Sequence, residues 1–302
     1  IFLERKRIAK DFLIDNNMMA FATDINIKFM KYIFDVLRLS KFAQVGALPS
    51  YNGSDLYAIK VLLPVSQKEQ EKIAGFLGMV DDKISVLQKK KELLKKYKKG
   101  VMQAIFSQKI RFKDGDGKNY PDWEEKLGND VFRSVTDRNN GHPLPILAIT
   151  QDTGAVPRDQ INYDISVTDA SVENYKVVRK GDFIISLRSF QGGIEYSNYN
   201  GLCSPAYIIL RASIKIDERF YKYFLKTKNY IQRLTKKLEG IRDGKMISFK
   251  YFSEVPLPYP MIEEQRKIAK FLTSLDDRIK LDESRLEQAK QFKKALLQQM
   301  FV

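Results

Sequence analysis

The chain has 302 residues, 44% of them hydrophobic and 12% aromatic, which is enough for real cores and leaves room for two domains. Its 52 Lys and Arg against 37 Asp and Glu give a net charge of +15, which suits a polyphosphate partner and equally suits plain solubility. The single cysteine, Cys203, excludes an internal disulfide framework and fits a reducing, cytoplasmic setting; no apolar run approaches a membrane span and no signal peptide is visible.

In chain order, the sequence starts at Ile1 without Met, inside a charged helical-looking stretch, so a segment upstream is expected to be absent. Residues 1–62 read as the C-terminal part of a first globular domain, because Ile25 to Phe29 with Tyr32 lines up with Ile216 to Phe220 with Tyr223. Extended backwards, that alignment implies roughly 70 further residues for a domain of ordinary size. Residues 63–108 read as a long helix. Ser66 and Glu69 stand at capping-box spacing after Pro64, and Ile73, Leu77, Val80, Ile84, Leu87, Leu94, Val101 and Ile105 form a heptad seam. Lys91 and Lys98 interrupt the seam, and the helix is expected to continue through Gly100 at a cost of roughly 1 kcal/mol.

A Gly, Asp and Lys rich linker, 109–119, follows. Its Asp114 and Asp116 mimic the start of a calcium loop, but Lys118 takes the next ligand position and the later acid is missing, so calcium is dismissed. Residues 120–258 read as an α+β domain. Pro121 to Lys126 is taken as a turn at its start. Strands are expected over Leu144–Ile149, Tyr175–Val178, Phe183–Leu187 and Ala206–Arg211, with a helix over Asp217–Leu238 and a basic, glycine-flanked loop from Gly240 to Lys245. Residues 259–302 read as a second long helix, opened by Pro260, Glu263 and Glu264, with seam residues Ile268, Leu272, Leu275, Ile279, Leu286, Ala289, Leu296 and Met300 interrupted by Asp282 and Lys293.

The two long helices are copies at a constant offset of 195 residues: Glu69-Gln70, Lys72-Ile73-Ala74, Phe76-Leu77, Asp81-Asp82 and Phe106 match Glu264-Gln265, Lys267-Ile268-Ala269, Phe271-Leu272, Asp276-Asp277 and Phe301. Each would be about 55 to 60 Å long. Matching seams suggest antiparallel pairing inside one molecule, a stiff bar with a globular domain at each end; the alternative is that each helix pairs with another chain.

Catalytic chemistry is hard to assemble. His142 is the only histidine, so neither a zinc site nor a Cys-His pair is available, and phosphate-binding glycine patterns are missing.

The duplicated order LP, EQ-x-KIA-x-FL, DD-x-I and long helix resembles the specificity subunit of type I restriction-modification enzymes, Pro64–Ile84 and Pro258–Ile279 being similar to that family's two conserved regions. The resemblance implies target recognition domains joined by two long antiparallel coiled-coil helices, each domain reading one half of a split sequence in double-stranded DNA. It further implies docking of modification (methyltransferase) subunits and assembly with restriction subunits. No cofactor would be bound by this chain, with S-adenosylmethionine, ATP and magnesium used by the partners. Two alternatives stay open: a shortened subunit dimerising on a symmetric site, and a basic coiled-coil structural protein; an isolated nuclease is weaker, lacking the carboxylate geometry.

Base reading needs paired donors and acceptors, and phosphate holding needs Lys, Ser and amides. Candidates are Arg138, Asn139 and Asn140 in the loop from Thr136; Arg188, Ser189 and Gln191 after the strand at Phe183; and Lys236, Lys237, Arg242 and Lys245 before the second long helix. Glu69, Gln70 and Phe76 with Glu264, Gln265 and Phe271 are candidates for a partner-subunit surface or, alternatively, for capping and packing at the helix ends.

Overall fold

The computed structural model describes residues 8–11, 13, 19–37, 53–138, 143–161, 172–186, 194–236 and 247–301. Compactness divides it into two units, residues 1–94 with 278–302 and residues 95–277, so the division cuts through both long helices.

In the first unit, α1 (Ile27–Val36) starts at Asn26, whose side chain accepts from the N–H groups of Lys28 and Phe29. Its buried residues are Phe29, Tyr32 and Ile33, of which Phe29 and Ile33 pack in a cluster with Ala74, Ile73 and Phe301. A short α2 (Gly53–Tyr57) precedes α3 (Gln67–Phe106), which begins where the Ser66–Glu69 spacing places it and runs unbroken through Gly100. A Cβ at Gly100 would meet open space, so only the helix-propensity cost of the glycine is incurred there. The final helix, labelled α8 (Ile262–Met300), carries the second copy.

Pairing of the two long helices is antiparallel. Asp81 meets Lys293 at 2.7 Å while Lys90 meets Asp282 at 3.0 Å, rising numbers on one helix against falling numbers on the other. Three of the four polar interruptions in the seam are thereby explained: Lys98, Asp282 and Lys293 each close an ion pair with the facing helix. Asp282 is fully buried, with Arg278 and Arg285 3.9 and 3.7 Å away on its own helix.

The second unit holds the α+β domain. Its strands are β1 (Glu124–Leu127), β2 (Phe132–Val135), β3 (Leu147–Thr150), β4 (Gly154–Pro157), β5 (Lys176–Val178), β6 (Phe183–Ile185), β7 (Glu195–Tyr196), β8 (Gly201–Cys203), β9 (Ile208–Ala212) and β10 (Pro256–Tyr259). The main sheet has the order β2-β9-β6-β7; β1-β10, β3-β4 and β5-β8 pair separately, all antiparallel. Among the described residues it also holds helices α4 (Gly128–Val131), α5 (Glu218–Phe224), α6 (Lys228–Lys236) and α7 (Phe249–Ser253). A large core joins Phe132, Phe183, Phe220, Tyr221, Phe252 and Leu257 to Ile105, Ile268, Ala269 and Leu272 of the long helices. A smaller one contains Val135, Ile184, Ile209 and Cys203, whose thiol is pushed up to about 12 by burial.

Three sequence expectations are corrected. The helix expected over Asp217–Leu238 is two helices, because Thr227 donates its hydroxyl to the Phe224 carbonyl and accepts from the Tyr230 N–H, ending one helix and capping the next. Residues expected as a turn before Leu127 include a strand, with Glu125 opposite Pro258. The strand expected over Leu144–Ile149 starts at Leu147. In the linker, Asp114 is occupied by the N–H groups of Asp116 and Lys118 in a side-chain-capped turn. Among the described residues no helix is long and apolar enough to cross a membrane.

Candidate nucleic-acid interface

Strands β2 and β6 both run antiparallel to β9 and therefore parallel to each other. Their C-terminal ends, Val135 and Ile185, lie opposite neighbouring residues of β9, so two of the three segments expected to read bases start from one end of the sheet. Arg138 is exposed and bridges to Lys176. Asn139, Asn140, Arg188, Ser189, Gln191, Lys237, Arg242 and Lys245 lie outside the described residues, and Lys236 is described only as the last residue of α6.

The root of the first segment is held by charge. Arg211 on β9 forks onto Asp182 with two 2.8 Å bonds and donates to Asp137 at 3.0 Å, and Val177 donates to the Asp137 carbonyl at 2.8 Å. A bidentate guanidinium of this kind fixes direction as well as distance. The hydrogen bonds that Arg211 donates to Asp182, more than offsetting burial, raise its guanidinium further above the ordinary range, so it is a permanent cation. Asp137 was visible in the sequence as part of a polar loop; its role as an anchor was not, since its partners lie far along the chain. Exposed Arg179 and Lys180 sit in the turn beside this anchor.

At the ends of the long helices the same constellation occurs in each unit. In the first, Tyr32 donates to Asp81 Oδ2 at 2.9 Å, Lys293 reaches Asp81 Oδ1 at 2.7 Å, and the Lys293 ammonium lies 5.3 Å above the Tyr32 ring. In the second, Tyr223 donates to Asp276 Oδ2 at 2.7 Å, Lys98 bonds Asp276 Oδ1, and the Lys98 ammonium lies 5.0 Å above the Tyr223 ring. Burial, then the neighbouring carboxylate, raises the Tyr32 hydroxyl well above the usual phenol range; burial does the same for Tyr223, so both remain donors. Phe29 packs on Phe301 at 5.5 Å and Phe220 on Phe106 at 5.4 Å beside these knots.

Of the expected partner residues, Glu264 and Gln265 are fully buried and engaged inside the chain. Glu264 accepts from Arg111 and from Trp123 Nε1, both at 2.9 Å; Gln265 donates to the Pro260 carbonyl at 2.8 Å and accepts from the Asp217 N–H at 2.9 Å. Gln70, also buried, donates to the Pro64 carbonyl at 2.9 Å. These three cap and pack, the alternative that the sequence left open. Phe271 packs on Phe112 at 5.6 Å. Glu69 is exposed and Phe76 is 40% exposed, which leaves them open to a partner. A surface that the sequence reading missed lies further along α3, where Met79, Val86 and Leu93 recur every seven residues and are 65, 66 and 56% exposed. The signal was present as a second heptad stripe offset from the seam.

The family model for the type I restriction modification DNA specificity domain matches residues 6–96 and 121–291. The chain belongs to that family. The two matched stretches each contain one Tyr-Asp pair and one copy of the long-helix motif. Among curated relatives, a chain named as the MjaX type I restriction enzyme specificity subunit of Methanocaldococcus jannaschii is 28% identical over 265 residues, 82% of this chain and 60% of its own length. The MjaVIII type I restriction enzyme specificity subunit of the same organism is 27% identical over 79% of this chain and 60% of its own length. The chain thus spans about three fifths of the curated relatives it matches. The crystal structure of a type I restriction-modification S subunit from M. genitalium superposes with a TM-score of 0.58 at 17% identity, covering 92% of this chain and 73% of that one, a likeness of fold.

Proposed function

We propose that this chain is the sequence-specific DNA-recognition subunit of a type I restriction-modification complex, non-catalytic itself, reading a bipartite target and docking two modification subunits, with restriction subunits in the full complex. The observation that carries this reading is the recurrence of one mounting geometry, Tyr-Asp-Lys beside a Phe pair, in both units. A chain with two equivalent mounts for one kind of domain is suited to reading two half-sites. The spacing between them would follow the helices at about 3.4 Å per base pair. Bases would be read from the segments that follow β2 and β6 and from the loop after α6, with Arg138, Arg188 and Arg242 suited to guanine, Asn139, Asn140 and Gln191 to adenine, and Ser189, Lys236, Lys237 and Lys245 to phosphate. Partner docking is supported by the exposed Met79, Val86 and Leu93 stripe together with Phe76 and Glu69. S-adenosylmethionine, ATP and magnesium belong to the partners in this reading.

The test is methylome sequencing of DNA from cells that express the chain with its modification subunit. A new split motif with adenine methylation on both strands is expected. Unequal half-sites support two different readers, and a symmetric motif supports a dimer using one domain twice. Confirmed expression of both proteins without new methylation overturns the recognition role in favour of a structural coiled coil.

A further inference from the structure

We infer that Tyr32–Asp81–Lys293 and Tyr223–Asp276–Lys98 are positioning residues that fix the seat of each globular segment on the paired helices and so set how strictly half-site spacing is enforced; this rests on the DNA-recognition reading above. Each knot joins three elements: the first described helix of the globular segment, or α5, supplies the tyrosine, one long helix the aspartate, and the other long helix the lysine. The atom assignment is the same in both, hydroxyl on Oδ2 and ammonium on Oδ1, with the ammonium also over the tyrosine ring.

Helix pairing alone needs the aspartate and lysine but has no use for the tyrosine. The adjacent Phe29–Phe301 and Phe106–Phe220 contacts supply adhesion, yet apolar contact is non-directional and tolerates rocking. A charge-assisted hydrogen bond to one chosen oxygen is directional. The aspartate and lysine side chains are only 19 to 34% exposed, so solvent competes weakly for these bonds. Moving a half-site by one base pair shifts it about 3.4 Å and turns it about 35° around the duplex. A reader held only by its apolar seat can follow part of that displacement; one held by the knot resists it.

The test uses the full chain with its modification subunit and plasmids carrying the same half-sites at the natural spacing and at one base pair more and less. Tyr223→Phe, Tyr32→Phe and the double variant keep the ring, and with it the lysine contact, while deleting the hydroxyl. The expected result is unchanged half-site bases with methylation at the wrong spacings rising relative to the natural one, severalfold for single variants and up to about tenfold for the double. A lower overall activity with the spacing ratio unchanged, in variants that remain folded, overturns the proposal, because a merely structural role would scale all spacings together. If the unaltered chain yields no split motif, the recognition reading fails, and the seat is then read directly. Spin labels on Asn229→Cys of α6 and Lys270→Cys of α8, both exposed positions, give a distance distribution that broadens in Tyr223→Phe. An unchanged width overturns the positioning role independently of DNA.

Discussion

The two units mount their globular segments with the same polar knot but surround it with different packing. In the second unit Phe220 touches Phe106, Trp123 and Tyr221 within a core of many aromatics, and Glu264 is buried under Arg111 and Trp123. Among the described residues of the first, the cluster consists of Phe29, Ile33 and Ala74 with a few half-buried neighbours, and Glu69, the counterpart of Glu264, is exposed. The clamp lysine of the first unit has a second acid, Asp35 at 3.9 Å, where the aligned position in the second unit is Lys226, which pairs with Glu195. Duplication followed by divergence left the directional contacts in place and let the apolar bulk change. Bulk can be exchanged at similar volume, whereas two groups meeting at one carboxylate cannot.

The largest expected difference between the units lies in their cores. Phe220→Ala should destabilise by about 3–5 kcal/mol, whereas Phe29→Ala, in a smaller cluster that can collapse, should cost about 2–3 kcal/mol; urea denaturation of the two variants checks the ordering. Next comes the glutamate pair. Glu264→Ala leaves the Trp123 indole N–H without its acceptor and removes one of the partners of the partly buried Arg111, which keeps Asp122 and the Pro121 carbonyl, and should cost about 1–3 kcal/mol, against less than about 0.5 kcal/mol for Glu69→Ala, measured in the same way.

The seam itself gives a third contrast, because the counterpart of buried Asp282 is Leu87. Asp282→Leu should be neutral or stabilising, while Lys90→Met should cost about 1–3 kcal/mol by leaving the carboxylate to Arg278 and Arg285 at 3.9 and 3.7 Å. A stabilised Lys90→Met variant would show that the pair is dispensable.

The smallest effect is a pH dependence confined to the second unit. Burial raises the Glu195 carboxyl from 4.5 to about 7, against the opposing pull of Lys226, and its Oε2 has no hydrogen-bond partner among the described residues. Between those values the unfolded chain has released a proton that the folded chain keeps. This contribution is therefore greatest below pH 4.5 and shrinks as pH rises through 7. Relative to Glu195→Gln, the unaltered protein should lose thermal stability from pH 5 to pH 7; parallel melting curves for the two would show that the carboxyl keeps no proton.

The sequence by itself determined the duplication, both long helices, the passage through Gly100 and the seam, because heptad spacing and capping are local properties legible within a few turns. It marked Lys98, Asp282 and Lys293 as flaws in the seam without showing that each has an acid or base waiting on the facing helix. It also read one helix where Thr227 makes two, since a hydroxyl that caps looks the same in sequence as one that does not. Only the tertiary structure decided which polar residues are spent internally. Glu264 and Glu69 stand in identical motifs, yet one is buried by Arg111 and Trp123, 153 and 141 residues away, and the other faces solvent. The Tyr-Asp-Lys knots likewise bring together side chains from three elements, and partners that distant leave no periodic trace for the sequence to show.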